Sequence, residues 1–405
     1  MNPIEKRAED LRSLLHYDLT VYAKVFSTDF LGQISSEQLA SIFASYSGLG
    51  ACTGIESVGL KSPSAGQFNL IFEGNLSVPV DMAVDESPPH RITHLRMGAP
   101  ISLAVSFEEI LHEFNSLPGQ SALCIAGILA DKLDVLVAHN HNLQLAIGST
   151  FKLYILSELL RSIDNGEHRW EEITTLDPRL RSLPTGILQQ WPAGAPLTLH
   201  TLAALMISQS DNTAADHLLF LLGRKRIERM LHITGHSTPD LNVPFLSTIE
   251  KFRQDKAVEG RDIDQRASSH GEEPGAASGE SDVEVDRDMI SVPERIQGNG
   301  QAEWFASVID LCHLVKWIRD NSALEPDQKV LKLLAINPGL ANPSGKWQYI
   351  GFKGGADTGV MNMTYLLQST NGSWYSLSGG WNCPNNMLDK NKFVGLINRA
   401  AQLIY

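Results

Sequence analysis

Stretches in which apolar and polar residues alternate one for one occur towards both ends of this chain, with helical patterns between them. In the first part they are "QFNLIFEG", "SVPVDMAVD" and "RITHLRMG"; in the last part, "WQYIGFKGG", "MNMTYLLQS" and "SWYSLSGGWN". Such alternation marks strands with one buried and one wet face. Strands gathered from both ends around a helical middle predict an α+β class, not repeating βαβ units. At 405 residues the chain is long for a single core, so two domains are expected.

The first domain is placed at residues 1–104. Helical patterns run from Ile4 to about Phe30 and from Ser36 to Tyr46, the strands follow, and the turn-like "MGAP" marks the boundary. The second domain takes residues 105–405. It opens on helix "SFEEILHEF" and the strand-like runs "SALCIAGIL" and "DVLVAHN". It is then largely helical from Ser149 to about Ile233, and ends in strands and a helix from about Asp389 to Ile404. Over about 253–288 the composition turns polar, acidic and rich in Gly and Ser. That stretch cannot bury enough apolar surface to offset its ordering entropy, and reads as a mobile insertion.

A formal net charge of -13 with no basic stripe excludes nucleic acid and anionic membranes as partners. The longest apolar run, Ala122 to Ala130, is too short to span a bilayer. The N-terminal pattern lacks the apolar core of a signal peptide. A cytoplasmic location is therefore expected for the chain as written, or a periplasmic or secreted one had a leader been removed. Cys52, Cys124, Cys312 and Cys383 lack metal or redox spacing and read as buried thiols. His90 with His94, and His139 with His141, have no third ligand at a suitable spacing, so neither a metal nor another cofactor is expected. "GLGACTG" follows a helical pattern instead of a strand, which argues against a dinucleotide loop. Trp191, Trp347 and Trp381 suit core packing, with a cleft lining as the alternative. Oligomeric state has no signature here.

The chemistry concentrates in "IGSTFKLYIL", Ile147 to Leu156, where Lys152 interrupts an apolar run three residues after Ser149. At the start of a helix, free N–H groups favour developing negative charge. An amine buried among Phe151, Leu153 and Ile155 loses affinity for its proton and can take one from a serine. Alone, Ser-x-x-Lys is a weak pattern, equally suited to a helix cap and a snorkelling lysine. Two further motifs follow in order: Ser210-Asp211-Asn212 ahead of an apolar helix, and Lys353-Gly354-Gly355 on a strand-like run.

In that order, with a Ser149-to-Ser210 spacing similar to the family's and a longer Ser210-to-Lys353 spacing that the polar insertion explains, the chain from about residue 105 onward resembles the class A serine β-lactamase and penicillin-binding superfamily. The resemblance implies a β-lactamase-like antiparallel sheet with helices, and acylation of Ser149 with Lys152 as proton acceptor. It implies Ser210 as shuttle to the leaving group, and Asn212 as ligand for Lys152 and for the substrate amide. Lys353 would supply positive charge, with Gly354, Gly355 and Ala356 on the substrate-binding strand. The backbone N–H groups of Ser149 and Ala356 would form the oxyanion hole. Asp211 would orient local backbone.

Two departures narrow the expectation. The family's deacylating glutamate precedes a Leu-Asn pair; here "STPDLN" supplies Leu241 and Asn242 but sets Thr238 where the glutamate belongs. Asp240 and Glu250 are nearby carboxylates outside the motif position. Gly354 replaces a threonine whose hydroxyl helps to hold a substrate carboxylate. A small-molecule ester or lactam is the expected substrate, with weak esterase or cephalosporinase-type hydrolysis. The alternatives are a penicillin-binding sensor that stays acylated and a D-Ala-D-Ala peptidase. The two-domain plan is similar to β-lactamase-like proteins of clavam biosynthesis clusters, in which a steroid-isomerase-like, cone-shaped α+β domain comes first. "FSTDFLGQIS", "RITHLRMGAP" and "PFLSTIEKF" carry that likeness.

Overall fold

Alternation becomes sheet in both parts of the chain. The computed structural model describes residues 2–15, 21–254, 303–322, 327–340, 342, 345–384 and 386–404. Most of the predicted polar insertion at 253–288 lies outside them. The described residues form an α+β structure of two units.

The first unit comprises Met1–Ser116, Gly339–Lys346 and Asp389–Tyr405. Its antiparallel sheet runs in the order Cys52–Ser62, Ala65–Phe72, Leu76–Val84, Ile92–Met97, and the short Ile101–Ser102 strand pairs with Leu76–Val84. Every second residue of Ala65–Phe72 is buried, beginning with Gly66. Phe68, Leu70, Val78 and Met82 join Leu11, Phe26 and Phe43 in one core. The helical pattern expected from Ile4 to Phe30 is not one helix. Pro3–Leu14, Tyr22–Val25 and Thr28–Gln33 are separate, and Ser27 caps the last of them by accepting from Phe30 N.

The expected boundary at 104/105 moves to Ser116/Leu117, and the C-terminal helix Lys390–Leu403 joins the first unit. Packing gives the reason. Phe393 meets Phe114 of helix Phe107–Asn115 edge to face at 5.9 Å, and a Cβ added at Gly395 would lie 2.5 Å from Leu76. The helix lies close against the sheet at that glycine.

The second unit is Leu117–Pro338 with Trp347–Leu388. Five antiparallel strands run in the order Trp347–Asp357, Val360–Ser369, Trp374–Asn382, Gln120–Ile128, Leu133–His139, so early and late strands share one sheet. Helix Val308–Ser322 packs on it. The middle expected to be largely helical carries four helices, Lys152–Asp164, Leu199–Ser208, Asn212–Leu222 and Arg224–Ile233. An irregular stretch containing a small strand pair separates the first two. From Lys152 to Leu160 every residue of the first helix is buried. A helix buried on every face over that span is a central one.

Candidate active site

The turn Gly148–Phe151 is a 3-10 segment that leads straight into the buried helix. It sets Ser149 at the helix start and Lys152 one turn on. Lys152 is fully buried, and its Nζ lies 3.2 Å from Ser149 Oγ, 3.2 Å from Ser210 Oγ, 2.6 Å from Ser210 O and 2.6 Å from Asn212 Oδ1. None of these partners is a carboxylate. Burial, with the Lys353 charge next in size, holds the Lys152 amine well below the ordinary lysine range, against a weaker pull from Asp216 and Asp211.

Ser210 has φ 55, the left-handed region that a non-glycine residue enters at a cost. Its carbonyl accepts from Lys152 Nζ and, at 2.6 Å, from Thr185 Oγ1. Asp211 then caps the next helix: its carboxylate accepts from the backbone N–H groups of Ala214, Ile187 and Leu188. Gly186, at φ +102, allows this approach, since a Cβ there would lie 2.2 Å from the Asp211 carboxylate. Asn212 Nδ2 donates to Leu183 O at 2.7 Å, which turns its Oδ1 towards Lys152.

Lys353 on strand Trp347–Asp357 donates to Ser210 Oγ at 3.0 Å and to Gly354 O at 2.6 Å. Burial brings its amine down to about 7. Gly355 is where this strand touches the serine turn: a Cβ would lie 1.9 Å from Ile147 O and 2.8 Å from Ser149 N. From the other side, a Cβ on Gly148 (φ +48) would lie 3.0 Å from Ala356 N. Both glycines are therefore required to bring the Ser149 and Ala356 backbones together.

Of the predicted residues, Ser149, Asn212 and Ala356 line one cavity of about 70 Å³. Gly354 does not line it. A Cβ there would lie 2.7 Å from the tip of the Phe352 ring, which stacks on Tyr365 at 4.6 Å. Thr238 and Asp240 are exposed and outside the cavity lining. Asn242, by contrast, is buried and clamps Phe305: its Oδ1 accepts from Phe305 N and its Nδ2 donates to Phe305 O, each at 2.8 Å. Glu250 is held by Arg224 at 2.6 Å and accepts from Ser247 N in a capping arrangement. Trp347 and Trp381 are buried, and Trp191 does not line the cavity.

The sequence reading missed a second wall of this cavity, made by Phe151, Lys251, Phe252, Trp304 and Asp357. Phe151 stacks on Trp304 with centroids 3.7 Å apart. Lys251 Nζ lies 2.7 Å from Asp357 Oδ2, 3.4 Å from Glu303 Oε1 and 4.9 Å from the Phe252 ring centroid. Asp216, fully buried and with its acid raised to about 6 by burial, accepts from Thr248 N and Ile249 N at the start of the helical segment that carries Lys251. A usable signal existed: Lys251 follows the apolar run of "PFLSTIEKF", much as Lys152 interrupts its own.

The geometry is that of a serine, two depressed amines and a turn that meets a strand edge on. The family model described as the beta-lactamase enzyme family matches residues 107–274. A solved beta-lactamase from Sphaerobacter thermophilus is 20% identical, with 73% of this chain and 94% of that chain covered and a TM-score of 0.51. One from Chitinophaga pinensis is 17% identical over 73% of this chain and 95% of that one, with a TM-score of 0.50. No curated protein matches the chain. At these identities the structural likeness is one of fold, and the fold of the chain is β-lactamase-like. The family match, over less than half of the chain, and that fold agree with the resemblance that the three motifs carry. Among the described residues, no helix is long and apolar enough to cross a membrane.

Proposed function

We propose that this chain is a serine hydrolase that opens an ester or β-lactam-type amide through an acyl-enzyme on Ser149. One observation carries the reading: a fully buried Lys152 amine, well below its ordinary protonation range, stands 3.2 Å from Ser149 Oγ. Neutral Lys152 takes the Ser149 proton as Oγ attacks the carbonyl carbon. The oxyanion that forms is held by the N–H groups of Ser149 and Ala356. Ser210, within 3.2 Å of Lys152 Nζ and 3.0 Å of Lys353 Nζ, passes the proton to the leaving group. A cationic Lys353 favours that transfer by stabilising charge on the Ser210 oxygen. Water then repeats the sequence on the acyl-enzyme, with Lys152 again accepting the proton.

Deacylation is the slow half. Among the described residues, Asp357 is the one carboxylate lining the cavity, and it is ion-paired to Lys251. This favours a second reading, a penicillin-binding protein that holds its acyl group. The first unit, an antiparallel sheet with helices packed on it, suits the accessory-domain role of the steroid-isomerase-like domain in the clavam-cluster proteins.

The test is a panel of p-nitrophenyl esters of increasing acyl length beside nitrocefin, on wild type and Ser149→Ala, with intact-mass spectra after penicillin G. Turnover lost in Ser149→Ala supports the hydrolase. A lasting adduct on Ser149 without turnover supports the acylated sensor, and activity retained in Ser149→Ala removes both.

A further inference from the structure

The Ser210-Asp211-Asn212 motif is fastened along its length to one segment, residues 183–187. Asn212 Nδ2 donates to Leu183 O at 2.7 Å, Asn212 N to Thr185 O at 3.2 Å, and Ile187 N to the Asp211 carboxylate at 2.7 Å. On the segment's side these three bonds use backbone groups, which do not depend on the side chain. The fourth bond does: Thr185 Oγ1 donates to Ser210 O at 2.6 Å. It falls on the residue of the motif held at a positive φ, 55, whose carbonyl also accepts from Lys152 Nζ at 2.6 Å. A conformation of that kind persists only where its surroundings fix it. Thr185 itself is exposed and lines the cavity that holds Ser149, so its hydroxyl is not there to fill a core.

We propose that Thr185 is a positioning residue: its hydroxyl fixes the Ser210 backbone and so aims the Ser210 hydroxyl at the leaving group. This deepens the serine-hydrolase reading and rests on it. In the acylation step the bond from Ser149 Oγ to the acyl carbon forms. The bond from that carbon to the leaving oxygen breaks, and its electron pair goes to that oxygen. Lys152 takes the Ser149 proton, and Ser210 gives its own proton to the leaving oxygen while drawing one from Lys152. Ser210 Oγ stands 3.2 Å from Lys152 Nζ and 3.0 Å from Lys353 Nζ, so a turn of its backbone disturbs both contacts. A leaving oxygen acidic enough to depart as an anion does not need this relay. The loss of the Thr185 hydroxyl is therefore felt in proportion to the leaving group's need for a proton.

Two acetate esters of similar shape make the test: p-nitrophenyl acetate, whose leaving group departs as an anion, and p-nitrobenzyl acetate, whose alkoxide needs a proton. Formation of the acetyl adduct on Ser149 is timed by quenched flow and intact-mass spectrometry. Thr185→Val removes the hydroxyl at nearly constant volume. It should slow acylation by the p-nitrobenzyl ester at least about fivefold more than acylation by the p-nitrophenyl ester, a part of what general acid catalysis is worth. Thr185→Ser keeps the hydroxyl and should hold the ratio of the two rates within about twofold of wild type. Both esters are read on one preparation, so unfolded protein lowers both rates alike; if valine leaves no folded protein, Thr185→Ala gives the same comparison. A smaller difference between the esters, or a ratio changed as much by serine as by valine, overturns the inference and leaves the hydrolase reading standing. A wild type acylated by the p-nitrophenyl ester alone also overturns it, because Ser210 then passes no proton. No adduct on Ser149 with either ester overturns the hydrolase reading itself and takes the inference with it.

Discussion

Lys152 and Lys251 are both buried lysines beside one cavity, and their surroundings make them opposites. Lys152 is surrounded by neutral oxygens, from two serine hydroxyls, a serine carbonyl and an asparagine amide, and its amine is depressed. Lys251 meets the carboxylates of Asp357 and Glu303. Burial penalises an ammonium wherever it occurs; the neighbours decide whether that penalty is met by neutralisation or by pairing. Neutral hydrogen-bond partners create a base, and carboxylates create a fixed charge. The same residue type thus stands as a base on one wall and as an ion-pair partner on the other.

The comparison breaks most readily at the lysines themselves. Arginine keeps the charge of lysine but cannot give up its proton. Lys152→Arg is expected to slow acylation of Ser149 by about 10³-fold, the typical worth of a general base, whereas Lys251→Arg should slow it by less than about tenfold. Stopped-flow acylation with nitrocefin measures both, and similar losses in the two variants would dissolve the distinction.

A smaller effect sharpens it through stability. With its folded-state value near 7, Lys353 binds its proton more weakly in the folded chain than in the unfolded one. Below pH 7 both states hold the proton and the full destabilising cost is present; it is relieved as pH rises from 7 towards the unfolded value of about 10.4. Lys353→Met should therefore stabilise the fold at pH 7 by roughly 1–4 kcal/mol while lowering acylation, and the gain should shrink at pH 9.5. Urea unfolding at both pH values is the check, and a gain independent of pH would mean the charge is not what burial penalises.

The smallest effect concerns the missing glutamate. Residue 238 is exposed and outside the cavity, so Thr238→Glu is expected to change the lifetime of the penicillin acyl-enzyme by less than about twofold. A marked shortening, seen by mass spectrometry, would mean that this segment swings over Ser149.

The strands and the three motifs were legible because each is written locally. Alternation fixes a strand's buried face, and Ser149 with Lys152 are one helical turn apart. Strand Cys52–Ser62 escaped notice because its residues are largely exposed and its pairing with Ala65–Phe72 is interrupted by register shifts, so it never shows a regular period. The break in the N-terminal helical pattern depends on a remote partner: Ser27 N donates to Ile92 O, which draws the chain out of helix there. The second cavity wall was hidden for the same reason. Lys251 and Asp357 are over a hundred residues apart, and only the fold makes them a pair.

The Phe352 ring lying across Gly354 ties two codons together. A threonine at 354 alone would need the ring to leave its stack on Tyr365, so a search that randomises that position by itself would sample the hydroxyl only in a disturbed setting. A hydroxyl at 354 therefore becomes available only when residue 352 changes with it.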